Sequence, residues 1–350
     1  MIRRLIAAAV LCTATAACTT RTATPVTTPA PSGAGAVDAG YTAYFSGSAV
    51  DAVTVPAGGA LLAGGGTDSD AAMTWLLAQG GARAPKRYGD VVVLRTSGSN
   101  GYNKYLMSLG ANSVTSIVIR SPDGANSAYV RDAIAKAEVV FLAGGDQSTY
   151  VQRWSGTGLQ AGVNARVAAG FPIGGTSAGL AAMSEYVYSA LNVSSVSATV
   201  LQNPYDSSMT FSRSLFSVPL LRNTITDTHF APRDRFGRSV AFLARLQQDG
   251  LATAPRGIAV DEGSSVGVAA SGDGVVFGSA GSGGAWFMQS SATATRICAP
   301  STPLSFAPVT VWHVPVGGRF DLAGWSTHDA TPYTVTAVKG VLTSSTGSIY

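Results

Sequence analysis

Between residues 58 and 180 the chain alternates short apolar runs with helical patterns, and most of the runs end in glycine. G-A-L-L-A-G-G-G-T-D (59–68) leads into D-A-A-M-T-W-L-L-A-Q and stops at Gly80-Gly81. D-V-V-V-L-R-T-S-G (90–98) leads into Y-N-K-Y-L-M-S-L-G, and S-V-T-S-I-V-I into a helix near Ala125 to Ala137. E-V-V-F-L-A-G-G-D-Q precedes a helix through Ala161 to Ala169, and the last run, F-P-I-G-G-T-S-A-G, ends at residue 179. Strands that are apolar on both faces and separated by helices belong to a parallel sheet covered on both sides. In such sheets ligands bind beyond the carboxyl ends of the strands, where these glycines fall. The fold class expected is therefore α/β, a mainly parallel sheet flanked by helices on both faces.

After about residue 190 the order changes. Loops rich in Ser, Val and Asn contain a short strand near Leu220 to Ile225, a helix spans about 238 to 246, and the strands R-G-I-A-V-D, S-V-G-V-A-A, G-V-V-F-G and T-V-W-H-V follow. These are expected to finish the same domain at one edge.

The N-terminus reads differently. Arg3 and Arg4 precede about a dozen apolar residues, a signal-peptide pattern too short to span a bilayer. Cys18, after Thr15-Ala16-Ala17, resembles the lipobox cysteine of bacterial lipoproteins and is the expected lipidation site. The division expected is a signal segment at 1–18, a Thr/Pro/Ala-rich tether at 19–50 and a single α/β domain with a β-rich C-terminal part at 51–350. Export follows, either as an outer-membrane or periplasmic lipoprotein or into the medium. With Cys18 lipidated, Cys298 has no disulfide partner in the mature chain. The formal charge is +4, and loss of Arg3 and Arg4 leaves 21 basic against 19 acidic side chains. Near-neutrality without a Lys/Arg run argues against nucleic acid, and leaves membrane attachment to an N-terminal lipid alone. A homodimer is compatible with the sequence.

Gly175-Thr176-Ser177-Ala178-Gly179 has the G-x-S-x-G form of a nucleophile elbow, a tight strand-to-helix turn that exposes a serine. The Ala178 N–H, at the start of the next helix, is placed to hold an oxyanion. Gly144-Gly145-Asp146-Gln147, after another buried run, offers the Gly145 N–H as a second donor and the Gln147 amide for orientation. A nucleophilic serine needs a base, and the chain has three histidines. His313 alternates within a half-buried strand and His328 sits in a polar loop, whereas His229 follows a strand end among polar residues. His229 is the candidate base. Arg233, Arg235 and Arg238 follow it beside Asp227 and Asp234, and arginines beside a nucleophile and base suit a substrate carboxylate. No metal or other cofactor is called for, since the histidines show no ligand spacing.

Four segments, in this order along the family's chains, resemble the cyanophycinase and peptidase E family of serine peptidases. They are G-G-D-Q at 144–147, G-G-T-S-A-G at 174–179, D-x-H-F-x-x-R-x-R-x-x-R at 227–238 and G-I-A-V-D-E at 257–262. The resemblance implies a class I glutamine amidotransferase-like (flavodoxin-like) sheet, a serine nucleophile and cleavage next to aspartyl residues. In the cyanophycinase branch the substrate is cyanophycin, a poly-aspartate with arginine on each β-carboxyl, and the product is β-aspartyl-arginine. Residues matching Gln147, Asp227, Arg233, Arg235 and Arg238 bind substrate there, and those matching Ser177 and His229 do the chemistry. The chain departs at Thr228, where cyanophycinases carry glutamine, and in having no acid between 186 and 205. Glu185, Asp206 and Glu262 are the alternatives for the acid beside the base. Glu262 is favoured because peptidase E-like enzymes also present a glutamate at the strand of G-I-A-V-D-E. The expected function is exported serine hydrolysis of cyanophycin. The rivals are a broader aspartyl or isoaspartyl peptidase, a non-catalytic surface-binding lipoprotein, and dinucleotide binding at Gly64-Gly65-Gly66, which lacks the G-x-G-x-x-G spacing.

Overall fold

The computed structural model describes residues 40–279 and 281–350. The expected signal segment, Cys18 and the expected tether as far as residue 39 lie outside them. The first half forms strands β1 (Tyr41–Gly47), β2 (Ala60–Ala63), β3 (Asp90–Arg95), β4 (Ser113–Ile119), β5 (Val139–Leu142) and β6 (Ile173–Thr176). Between them lie helices α1 (Asp70–Gln79), α2 (Gly101–Ser108), α3 (Pro122–Asn126), α4 (Ala128–Lys136), α5 (Gln147–Trp154) and α6 (Gly158–Ala168). Parallel pairing runs β4-β3-β5-β6-β2.

Successive strand residues point to opposite faces, and here both faces are apolar. Leu61, Val91, Val93, Val139 and Phe141 pack with Met73, Leu76 and Leu77 of α1 and Leu106 of α2. Leu62, Val92, Leu94, Val140 and Leu142 pack on the other side with Val130 and Ile134 of α4 and Leu159 and Val163 of α6. This two-sided burial makes the strands read as unbroken apolar runs, and it gives the α/β architecture expected of them, a parallel run of strands covered by helices on both faces.

The structure departs from the sequence reading in four places. Residues 41–47, assigned by composition to the tether, form β1, an antiparallel edge strand on β4. Its inward side chains Tyr41 and Ala43 pack against the core, and Tyr41 stacks on Tyr129. The single helix expected near 125–137 is two, because Ser127 leaves α3 extended and caps α4 through Val130 N–H. The strand expected near 220–225 starts later, after a 3₁₀ turn at Pro219–Leu221.

The largest difference concerns the C-terminal strands, only some of which extend the main sheet at its edge. The second half forms β7 (Tyr186–Tyr188), β8 (Phe211–Arg213), β9 (Thr224–Asp227), β10 (Arg256–Val260), β11 (Ser264–Val268) and β12 (Asp273–Gly278). It continues with β13 (Ala285–Ile297), β14 (Ser305–Val314), β15 (Arg319–Asp321), β16 (Tyr333–Val338) and β17 (Val341–Ser344). β11, β12 and β15 continue antiparallel from β2, while the rest build a second sheet ordered β8-β7-β9-β10-β13-β14-β16-β17. Helix α8 (Phe236–Gln248) is buried along nearly its whole length and gives this sheet a core of its own, with Phe242, Leu243 and Leu246 against Tyr188, Met288 and Val309. Ile258, Val260 and Phe287 meanwhile share the main sheet's cluster with Leu62 and Val266, so the two sheets are packed together. Among the described residues no helix is long and apolar enough to cross a membrane.

Candidate active site

Strand β6 ends at Thr176, and a one-turn helix, α7 (Ala178–Ala181), begins two residues later. Ser177 between them has φ 53° and ψ −119°, a backbone state that non-glycine residues hold only when the surroundings enforce it. Those surroundings are visible. A Cβ at Gly179 would lie 2.1 Å from the Leu142 carbonyl oxygen, and one at Gly175 would lie 2.6 Å from the Gly179 carbonyl carbon. Both motif glycines are thus required by close backbone approach, and the Ser177 N–H donates to Ala63 O at 3.0 Å. Because α7 is a single turn, Glu185 is not carried on it. Its carboxylate instead accepts from Asn223 N–H at 2.7 Å. Asp206 caps its own turn at Ser208. Neither acid is bonded to His229.

His229 lies two residues past the end of β9, in the left-handed region at φ 46°, and its N–H donates to Gly64 O at 2.9 Å. Its Nε2 is 2.7 Å from Ser177 Oγ and its Nδ1 is 2.5 Å from Glu262 Oε1. Glu262 follows β10, and Asp261 ties its turn to the His229 loop by accepting from Glu262 N–H at 3.0 Å and Ala231 N–H at 3.2 Å. Gly65, at φ +101°, forms the wall behind the imidazole, where a Cβ would lie 2.3 Å from His229 Cε1. The glycine run at 64–66 therefore makes room for a ring. From below, Phe230 packs against Phe236, Trp286 and Tyr350, and the Tyr350 hydroxyl accepts from Phe236 N–H at 3.0 Å. Burial holds the imidazole pKa below its ordinary 6.5; Glu262 pulls it back up in part, while Arg233 and Arg235 push it down. A neutral imidazole in this position can take a hydroxyl proton, and the carboxylate behind it can stabilise the resulting cation.

Ser177 and His229 open onto a cavity of about 430 Å³ whose lining includes Gly145, Gln147, Ala178, Asp227, Arg233, Arg235 and Arg238. Ala178 is the first residue of α7, so its N–H has no acceptor within the helix. Gln147 opens α5, capped by Asp146, whose side chain accepts from Ser148 N–H at 2.9 Å. The three arginines are not equivalent. Arg238 Nε donates to Asp227 Oδ2 at 2.8 Å and its Nη2 to Oδ1. Asp227 also accepts from Ser239 Oγ and Thr228 N–H, both at 2.8 Å. Burial would push the Asp227 carboxyl up, but Arg238, with Arg235 and Ser239, holds it below its ordinary value. Asp227 and Arg238, expected to bind substrate, are largely satisfied by each other and form the floor beneath the cavity. Arg235 donates to Thr228 O at 2.8 Å and to its hydroxyl at 3.1 Å. Burial, which Asp227 only partly offsets, and the neighbouring Arg238 and Arg233 lower Arg235 to about 10, so it stays charged at neutral pH. Arg233 is half exposed and keeps most of its donors free.

The rim at Ala190, Leu191, Asn192, Val193 and Ser194 had no signal beyond being a polar-apolar loop after the elbow. His313 stacks on Trp286 and bonds Gly283 O, away from the cavity. Cys298 is buried in the second sheet's core, where burial raises its thiol to about 11.

Residues 99–207 match the Peptidase family S51, whose members are serine-type peptidases. The chain is similar to the S51 peptidases. The matched segment holds G-G-D-Q and the serine elbow, while His229 and Glu262 fall beyond it. Among solved structures, a peptidase from an acI-B1 Actinobacterium is 16% identical over 64% of this chain and 88% of its own, with a TM-score of 0.44. A putative peptidase E protein from Listeria monocytogenes EGD-e is 14% identical over 64% of this chain and 99% of its own, with a TM-score of 0.42. No curated protein matches the chain.

Two outcomes follow from the imidazole's surroundings. Gly65→Ala should leave the far-ultraviolet circular dichroism unchanged yet slow labelling of Ser177 by a fluorophosphonate at least about a hundredfold, the usual result of moving a reacting group by an ångström. In the unaltered protein, the midpoint of the acid limb of labelling should lie below pH 6.5, because His229 takes up its proton later than a free imidazole. A midpoint at or above 6.5 would contradict the burial of the imidazole.

Proposed function

We propose that the chain is an exported serine peptidase that hydrolyses aspartyl bonds and that its substrate is cyanophycin, with β-Asp-Arg as product. The observation that carries the hydrolase reading is the Ser177 Oγ to His229 Nε2 distance of 2.7 Å at the mouth of a cavity with unspent arginine donors. In this reading His229 Nε2 accepts the Ser177 proton as Oγ bonds to the substrate carbonyl carbon, whose π electrons move to oxygen. The N–H groups of Ala178 and Gly145 hold that oxyanion, and Glu262 faces the imidazolium. Collapse breaks the C–N bond, the amine leaves with the proton from Nε2, and water then releases the acyl group by the same steps. Arg233 and Arg235 bind the carboxylate of the substrate, and Gln147 orients it. The basic, apolar and Ala-Ala-Cys pattern of residues 1–18 supports export, with Cys18 as the lipidated residue.

One observation favours a broader aspartyl or isoaspartyl peptidase. Thr228, at the position of the cyanophycinase glutamine, spends its hydroxyl and carbonyl on Arg235. Incubation of the purified protein with insoluble cyanophycin, followed by assay of soluble β-Asp-Arg, separates the readings. Release lost by at least about a thousandfold in Ser177→Ala is expected. Activity only on short aspartyl peptides would favour the broader enzyme, and absence of fluorophosphonate labelling at Ser177 would favour a binding protein.

A further inference from the structure

One oxygen of Glu262 faces two nitrogen donors. Oε1 accepts from His229 Nδ1 at 2.5 Å, and the same atom lies 3.6 Å from Arg233 Nε. Arg233 also lines the cavity beside Ser177 and is the most exposed of the three arginines, with 52% of its side chain accessible against 13% for Arg235 and 3% for Arg238. It is therefore the arginine freest to move, and two anions compete for it: the enzyme's own carboxylate and whatever acidic group enters the cavity. We propose that Arg233 couples recognition of an acidic substrate to the strength of the base, because a substrate carboxylate draws the guanidinium away from Glu262 and leaves that carboxylate wholly to His229.

The coupling rests on the serine peptidase reading above and follows from where charge develops. As Ser177 gives up its proton, the imidazole becomes a cation between Glu262 on one side and Arg233 and Arg235 on its own loop. The other faces of the ring meet the Ser177 hydroxyl and the backbone at Gly65, which carry no charge. Of the two arginines, Arg235 is held by Thr228 and Asp227, so its charge is fixed in place. The Arg233 charge is the adjustable one. With the cavity empty, Arg233 opposes the imidazolium and draws on the carboxylate that should stabilise it. When an acidic substrate docks, its carboxylate cancels the Arg233 charge and Glu262 faces His229 alone. Selectivity for acidic substrates then appears in kcat as well as in KM, because part of the binding interaction is expressed only as the proton moves. A neutral isostere fills the same space but leaves Arg233 where it opposes the reaction. An exposed ion pair such as Arg233–Glu262 is weak by itself, which is what a contact that must be exchanged during each turnover requires.

The test compares an aspartyl dipeptide substrate with its asparaginyl isostere in the unaltered protein and in Arg233→Met, which keeps the aliphatic stem and removes the charge. In the unaltered protein kcat should be about tenfold higher for the acidic substrate, one pKa unit of imidazole basicity. In Arg233→Met the kcat values of the two substrates should converge, with KM for the acidic one raised. The acid limb of fluorophosphonate labelling, which requires no acidic substrate, should move to higher pH in the variant, since removal of a nearby cation makes protonation of His229 easier. If Arg233 only anchors substrate, the substitution changes KM, keeps the kcat difference and leaves the labelling limb in place, and the coupling is overturned. A protein in which Ser177 takes no label at all would instead refute the hydrolase reading itself.

Discussion

The imidazole of His229 is the one group on which both sheets converge. Its Nε2 meets a serine presented by the last parallel strand of the main sheet, and its Nδ1 meets a glutamate that follows a strand of the second. Neither sheet holds the three side chains alone. What keeps them in register is the shared apolar cluster in which Ile258, Val260 and Phe287 pack with Leu62 and Val266. Backbone bonds add to it, from His229 to Gly64 and from Gly263 to Gly65. Loss of that packing would separate the imidazole from the serine.

Local strain sits where this convergence needs it. Ser177 and His229 both have positive φ without being glycine, and each is flanked by backbone so close that no larger residue fits. Strain of this sort, about 1–3 kcal/mol per residue, persists only when packing over-determines it. Packing is ample on both sides: Leu142 and Gly179 beside the serine, Gly65 against the imidazole, and the Phe236, Trp286 and Tyr350 rings around Phe230, the residue after the histidine. The electrostatics follow the same plan. Asp227 and Arg238 neutralise each other in the floor, where an uncompensated charge would be costly, and the accessible positive charge is left to Arg233 and Arg235.

The parallel half was legible because its strands are apolar on both faces. A run such as Val91-Val92-Val93-Leu94 can be little else than a central strand, and its turn glycines mark the carboxyl ends. The elbow was legible for the same reason, since Gly175 and Gly179 are demanded by atoms only a few residues or one strand away. The second sheet was not, because the order in which its strands pair depends on contacts distant in sequence. β1 was hidden by small residues that resemble a linker, although Tyr41 and Phe45 are spaced as in a strand. Gly65 stood in plain view, but its purpose depends on a ring 164 positions later. The pairing of Asp227 with Arg238, eleven residues apart across a strand end and a helix, likewise appears only when the chain is folded. The choice among Glu185, Asp206 and Glu262 was left open by spacing, and it is distance to Nδ1 that separates them.

The most direct test of the proposed relay is the proton on His229 Nδ1. In ¹H NMR of the folded protein it should give a strongly downfield exchangeable resonance, retained in Ser177→Ala and lost in Glu262→Gln. A spectrum with no such proton, or one in which it is untouched by the glutamate substitution, would mean that Glu262 does not hold the imidazole, and the account of the site would fail with it.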